Sequence, residues 1–69
     1  MNKDLIKKFE LAEKLFADKK FEKSIIEFKE ILNSDANFIP ALYNIGLSYE
    51  FLNQLKEAEN NYFKCYSLK

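Results

Sequence analysis

An all-α fold, four antiparallel helices in two helix-turn-helix hairpins, is predicted for this chain by three observations. Apolar residues recur at i, i+3, i+4 and i+7 through four segments separated by short polar breaks. A single Gly and a single Pro leave little material for the turns that a β fold requires. Residue class also returns at a fixed interval: from Gly46, 46 − 34 = 12 lands on Ala12, a second small residue inside a second apolar helical pattern.

The first helix is expected from Lys3 to about Ala17, where Leu5, Ile6, Phe9, Leu11, Ala12, Leu15 and Phe16 form a wide apolar face. Lys7, Lys8 and Lys14 flank that face, but Asp4, Glu10 and Glu13 cancel them, so the outer side reads as solvated surface and not as a membrane-surface helix. Asp18-Lys19-Lys20 breaks the pattern. A second helix follows from Phe21 to about Asn33, with Phe21, Ser24, Ile25, Phe28, Ile31 and Leu32 inward, and the short connection makes the two antiparallel neighbours.

Asn33-Ser34-Asp35-Ala36-Asn37 is a turn by composition, with Asn37 the expected N-cap of a third helix that tolerates Pro40 in its first turn. This helix runs to about Leu52 on Leu42, Ile45, Tyr49 and Leu52. Gly46 inside it costs about 1 kcal/mol relative to Ala, which close approach of a neighbouring helix would justify. Asn53-Gln54 makes the last turn. The fourth helix spans Leu55 to about Ser67, with Leu55, Ala58, Tyr62, Cys65, Tyr66 and Leu68 on its apolar side.

Leu42-x2-Ile45-Gly46-x2-Tyr49 followed by Ala58-x3-Tyr62 resembles the tetratricopeptide repeat, a unit of about 34 residues with Trp-x2-Leu-Gly-x2-Tyr, Ala-x3-Phe and a closing Pro. Leu42 stands where the pattern has Trp. The upstream copy is Lys8-x2-Leu11-Ala12-x2-Leu15 and Ser24-x3-Phe28, with Ala36 in the place of the Pro. Across the interval Phe9 matches Tyr43, Leu11 matches Ile45, Phe21 matches Leu55, Ser24 matches Ala58 and Phe28 matches Tyr62. The resemblance implies a single domain over residues 1–69, with repeat one at 5–38 and repeat two at 39–69, stacked as a segment of a right-handed α-solenoid.

Charge and chemistry narrow the function. Eleven Lys balance eleven Asp and Glu with no Arg and no His, so nucleic-acid binding is disfavoured: there is neither a net basic field nor a guanidinium fork. The charge is uneven, with eight Lys and eight acids up to Asp35 but three of each after it, so the second half has a much less charged surface. Without His and with one Cys, neither a Cys-His pair nor a nitrogen-and-sulfur zinc site can be built from one chain. Glu10, Glu27 and Glu30 read as solvated surface. No enzyme activity, cofactor or metal is expected. Cys65 alone rules out an internal disulfide framework and, with no signal-like or membrane-spanning run, suggests a cytoplasmic protein.

Two surfaces are expected to act. In the family the first helix of each repeat lines a concave groove for peptides or helices. Carried over, the groove positions are Ile6, Phe9, Glu13, Phe16 and Ala17 from repeat one, then Tyr43, Asn44, Leu47, Glu50 and Phe51 from repeat two. Such an aromatic set suits a partner's apolar side chains, while helix-face geometry equally allows Phe9 and Phe16 to pack between the helices. The family's clamp for chaperone C-terminal carboxylates is not expected. Asn44 matches one clamp residue, but Phe9 and Glu13 stand where cationic and amide groups are needed, and Glu13 and Glu50 would repel an acidic terminus. The second surface is the end of the stack, where Tyr62, Phe63, Cys65, Tyr66 and Leu68 are left partly uncovered; a longer array, a wet aromatic surface and closure on a second copy all fit, and such apolar surface favours self-association, a homodimer included. The expected function is therefore a protein–protein interaction module or scaffold, with structural self-assembly through the fourth helix as the alternative.

Overall fold

Four helices form where the apolar stripes end at polar breaks. In the computed structural model α1 spans Lys3–Ala17, α2 Phe21–Ser34, α3 Ile39–Phe51 and α4 Leu55–Ser67. The structure describes residues 3–68; Met1, Asn2 and Lys69, which the expected domain includes, lie outside the described residues. Each helix packs on the next in sequence, α1 on α2, α2 on α3 and α3 on α4, giving an all-α bundle. Its Cα extents are 32 × 28 × 15 Å. The short dimension is that of two helix layers, an interaxial spacing of about 8–10 Å plus two Cα radii of about 2.3 Å.

The 34-residue interval is written into the backbone. The helix ends of α1 and α3 close in the same way, with Lys19 at φ 63° and Asn53 at φ 62°, and 53 − 19 = 34. The amide of Lys20 donates to Leu15 O at 2.8 Å and that of Lys19 to Phe16 O at 2.9 Å; Gln54 and Asn53 repeat both bonds onto Tyr49 O and Glu50 O at 2.8 and 2.9 Å. This is the Schellman arrangement, in which one left-handed residue turns the chain back and satisfies the last carbonyls. Asn adopts that conformation readily, whereas Lys does so at a cost.

The start of α3 differs from the expectation. Phe38, not Asn37, is the N-cap; its backbone is extended at φ −73° and ψ 95°, and no side chain caps the helix. Its carbonyl accepts from the amides of Ala41 and Leu42 at 3.1 and 3.2 Å. Pro40 explains the shift: it lies in the first turn, where its missing N–H removes one of the donors a cap would serve. The Asn37 amide instead donates to Asp35 Oδ1 at 3.3 Å, within the preceding turn.

The core joins α1, α2 and α3. Ala12, Ile25, Phe28, Ile31, Ala41 and Ile45 are buried at its centre, and Leu5, Phe9, Leu32, Phe38, Tyr49 and Leu52 pack around them. Phe9 sets its ring edge-on to both Phe28 and Phe38, with centroids 5.6 Å apart in each case. Helix α3 is buried at Ala41, Leu42, Ile45, Gly46 and Ser48 because neighbours lie on both sides of it. The inward set expected for α2 is where the spacing places it, but Ile6 and Leu11 of α1 remain 43% and 47% exposed.

Candidate interaction surface

Tyr43 on α3 and Tyr62 on α4 come together 19 positions apart, as Phe9 and Phe28 do on α1 and α2. The tyrosine rings are tilted at 44° with centroids 5.8 Å apart. Since 43 − 9 = 34 and 62 − 28 = 34, this is the Phe9–Phe28 pair one interval later. The first pair is covered by Phe38, whereas among the described residues no third ring covers the second.

The uncovered pair lies in a recess of about 430 Å³ lined by Tyr43, Leu47, Glu50, Tyr62, Cys65 and Tyr66. Its depth follows from Gly46. A Cβ placed there would sit 2.6 Å from Tyr62 Cε1 and 2.8 Å from Cδ1, so the ring rests where only a glycine leaves room. The Tyr62 hydroxyl donates to Glu50 Oε1 at 2.7 Å, tying α4 to the end of α3 across the recess. Burial first, then this bond and the charge of Glu50, hold the Tyr62 pKa well above the ordinary tyrosine value. The floor includes the buried Cys65, whose Sγ lies 3.9 Å from Ile39 O; the rim carries Tyr66, 76% exposed.

The expected groove and end surface thus overlap. Tyr43, Leu47 and Glu50 from the groove share one recess with Tyr62, Cys65 and Tyr66 from the end. Phe63 and Leu68 instead line a second recess of about 350 Å³ with Ala36, Asn37 and Leu42, on another side of α4. Phe9 is engaged in the core rings. Phe16 meets Phe21 and Phe51 edge-on at 5.4 and 5.8 Å, and Phe21 stacks on Phe51 at 5.0 Å and 3°, a cluster joining the ends of α1 and α3 to the start of α2. Phe51 is still 64% exposed. Glu13 is exposed and Asn44 half-buried, and neither lines the recess; the Asn44 carbonyl accepts a bond from Ser48 Oγ at 2.9 Å.

Among the described residues no group of three or more Cys, Asp or Glu is placed to hold a metal ion. No helix among them is long and apolar enough to cross a membrane. Comparison with protein-family models, with curated proteins and with solved structures gives no match to this chain.

Proposed function

We propose that the chain is a tetratricopeptide-like module of two repeats that binds proteins by burying a partner's apolar side chains in the recess between α3 and α4. The observation that carries this reading is the uncovered Tyr43–Tyr62 pair, the second copy of a seat that elsewhere in the chain is filled by Phe38 at the entry to α3. The recess is preformed: Gly46 admits the Tyr62 ring and Glu50 fixes its hydroxyl, so little order has to be created on binding. Aromatic anchors around a desolvated centre are the residue types on which interface energy concentrates. The exposed Phe51 extends the same reading along the expected groove.

The alternative, self-assembly through α4 without a separate ligand, is favoured by the exposure of Phe63 and Tyr66, two large aromatics on one helix. No catalytic role is proposed.

Selection of helical peptides from a displayed library on the folded chain, with the Leu47→Lys variant as counter-selection, tests the module. Enriched amphipathic peptides whose binding shifts the Tyr43, Leu47 and Tyr66 resonances support it. Absence of enrichment, or shifts confined to the outer faces of α1 and α2, would sink it.

A further inference from the structure

We infer that a second copy of this chain docks in the α3/α4 recess, tail to tail across a two-fold axis, so that α3 and α4 of one protomer face α3 and α4 of the other. The inference rests on the reading of that recess as a contact surface and names its occupant.

The internal interface shows what such a seat accepts. Against Phe9 of the Phe9–Phe28 pair it holds Phe38, with Ala41 and Ile45 of the same segment in the core cluster. One interval later the seat is roomier, since Cys65 stands for Ile31 (65 − 34 = 31), while Leu47 stands for Glu13 and Glu50 for Phe16 (47 − 34 = 13; 50 − 34 = 16), so each set holds one carboxylate. A larger seat lined by aromatic rings favours an aromatic side chain as its occupant.

The opposite end of the stack does not supply that occupant. In the segment that fills the first seat, Phe38 and Ala41 have Asp4 and Lys7 as their counterparts one interval earlier (38 − 34 = 4; 41 − 34 = 7). A head-to-tail copy would carry the Asp4 carboxylate and the Lys7 ammonium into the recess, where Glu50 is the single charged lining residue and is already engaged by Tyr62. Burying such charges unpaired is strongly unfavourable. Charge at the α1 end therefore disfavours open head-to-tail growth.

The α3/α4 face, by contrast, is suited to itself. A two-fold interface places one patch against its own copy, so it must avoid like charges and carry both a projection and a recess. Tyr66 projects beside the recess with 76% of its surface exposed, and the lining holds one carboxylate bonded within its own chain. Tyr66 of each copy is the aromatic side chain the other recess lacks.

Sedimentation equilibrium of the chain over a wide concentration range tests this, with the Tyr66→Lys and Leu11→Lys variants as probes and circular dichroism confirming that both are helical. Both side chains are exposed, so neither substitution removes a core contact. The expected result is a mass that rises to two chains and no further. Tyr66→Lys weakens the dimer by roughly tenfold or more, as loss of a central aromatic anchor does, and Leu11→Lys leaves it unchanged. A wild-type chain that stays monomeric throughout overturns the proposal, as do masses that grow beyond two chains and fall with Leu11→Lys. In the monomeric case the peptide selection separates the two readings: peptides that still bind at Tyr43 and Leu47 show that only the occupant was wrong, and their absence removes the module as well.

Discussion

Gly46 and Tyr62 are fitted to each other: the ring occupies the space of the missing Cβ, within 2.6 Å of where that atom would lie. Gly46→Ala adds helix propensity of about 1 kcal/mol but forces an anchored ring to move, at a cost of roughly 1–3 kcal/mol. Net destabilisation is expected. In a Tyr62→Ala background the collision disappears, and the same substitution should stabilise by about 1 kcal/mol. Urea unfolding of the four proteins in this double-mutant cycle reads the sign directly. If Gly46→Ala has the same effect in both backgrounds, the ring is not what requires the glycine.

Ser24 and Ala58 hold the same place one interval apart, 58 − 24 = 34, and both are buried. Ser24 Oγ meets no hydrogen-bond partner among the described residues. A buried, unsatisfied hydroxyl costs about 1–3 kcal/mol, and Ala fills nearly the same volume. Ser24→Ala should therefore raise the stability by about 1 kcal/mol or somewhat more, and Ala58→Ser should lower it by a similar amount. Chemical denaturation checks both. A destabilised Ser24→Ala protein would mean that the hydroxyl has a partner, such as a buried water.

The helices, most of their inward residues and the need for a close approach at Gly46 were legible in the sequence, because each rests on spacing along one element. What was not legible depends on the angle between elements. The matches Phe9 with Tyr43 and Phe28 with Tyr62 can each be read from the chain, yet the contact within each pair spans two helices. Tyr43 was therefore assigned to a groove and Tyr62 to an end surface, although one recess holds both. For Phe16 the spacing leaves groove and inter-helix packing equally open, and the structure joins it with Phe51, itself still 64% exposed, to Phe21 in a ring cluster. Asn37 had the composition of a cap, but the first-turn Pro40 moved the helix start to Phe38.

Lys19 is the costlier of the two left-handed residues. At φ 63° its Cβ crowds the backbone, a strain of about 1–2 kcal/mol that Gly lacks. Part of that gain is lost to the greater freedom of Gly in the unfolded chain, so Lys19→Gly should stabilise by roughly 0.5–1 kcal/mol. Asn53→Gly at the equivalent turn should give only a few tenths, about 0.3 kcal/mol, because Asn tolerates the conformation. Thermal unfolding of the two variants side by side measures the difference, and equal shifts would contradict it.

Tyr62 also makes the fold sensitive to alkaline pH. Its pKa is raised in the folded chain by burial and by the bond to Glu50, whereas unfolding returns the phenol to an ordinary value of about 10. The unfolded state thus loses its proton first as pH rises, and from there upward it binds fewer protons than the native state. Stability is then full below about pH 10 and falls as pH climbs towards the folded pKa. Lys8, raised chiefly by its hydrogen bond to Glu30, contributes in the same direction, so the slope alone does not identify Tyr62. Tyr62→Phe isolates its share. The ring still fills the space at Gly46, but the hydroxyl and its titration are gone, so the alkaline loss of stability should be shallower than in the wild type. Denaturation midpoints on either side of pH 10 test this, paired with tyrosinate absorbance to follow ionisation. Equal slopes for the two proteins would show that the Tyr62 proton is not linked to folding.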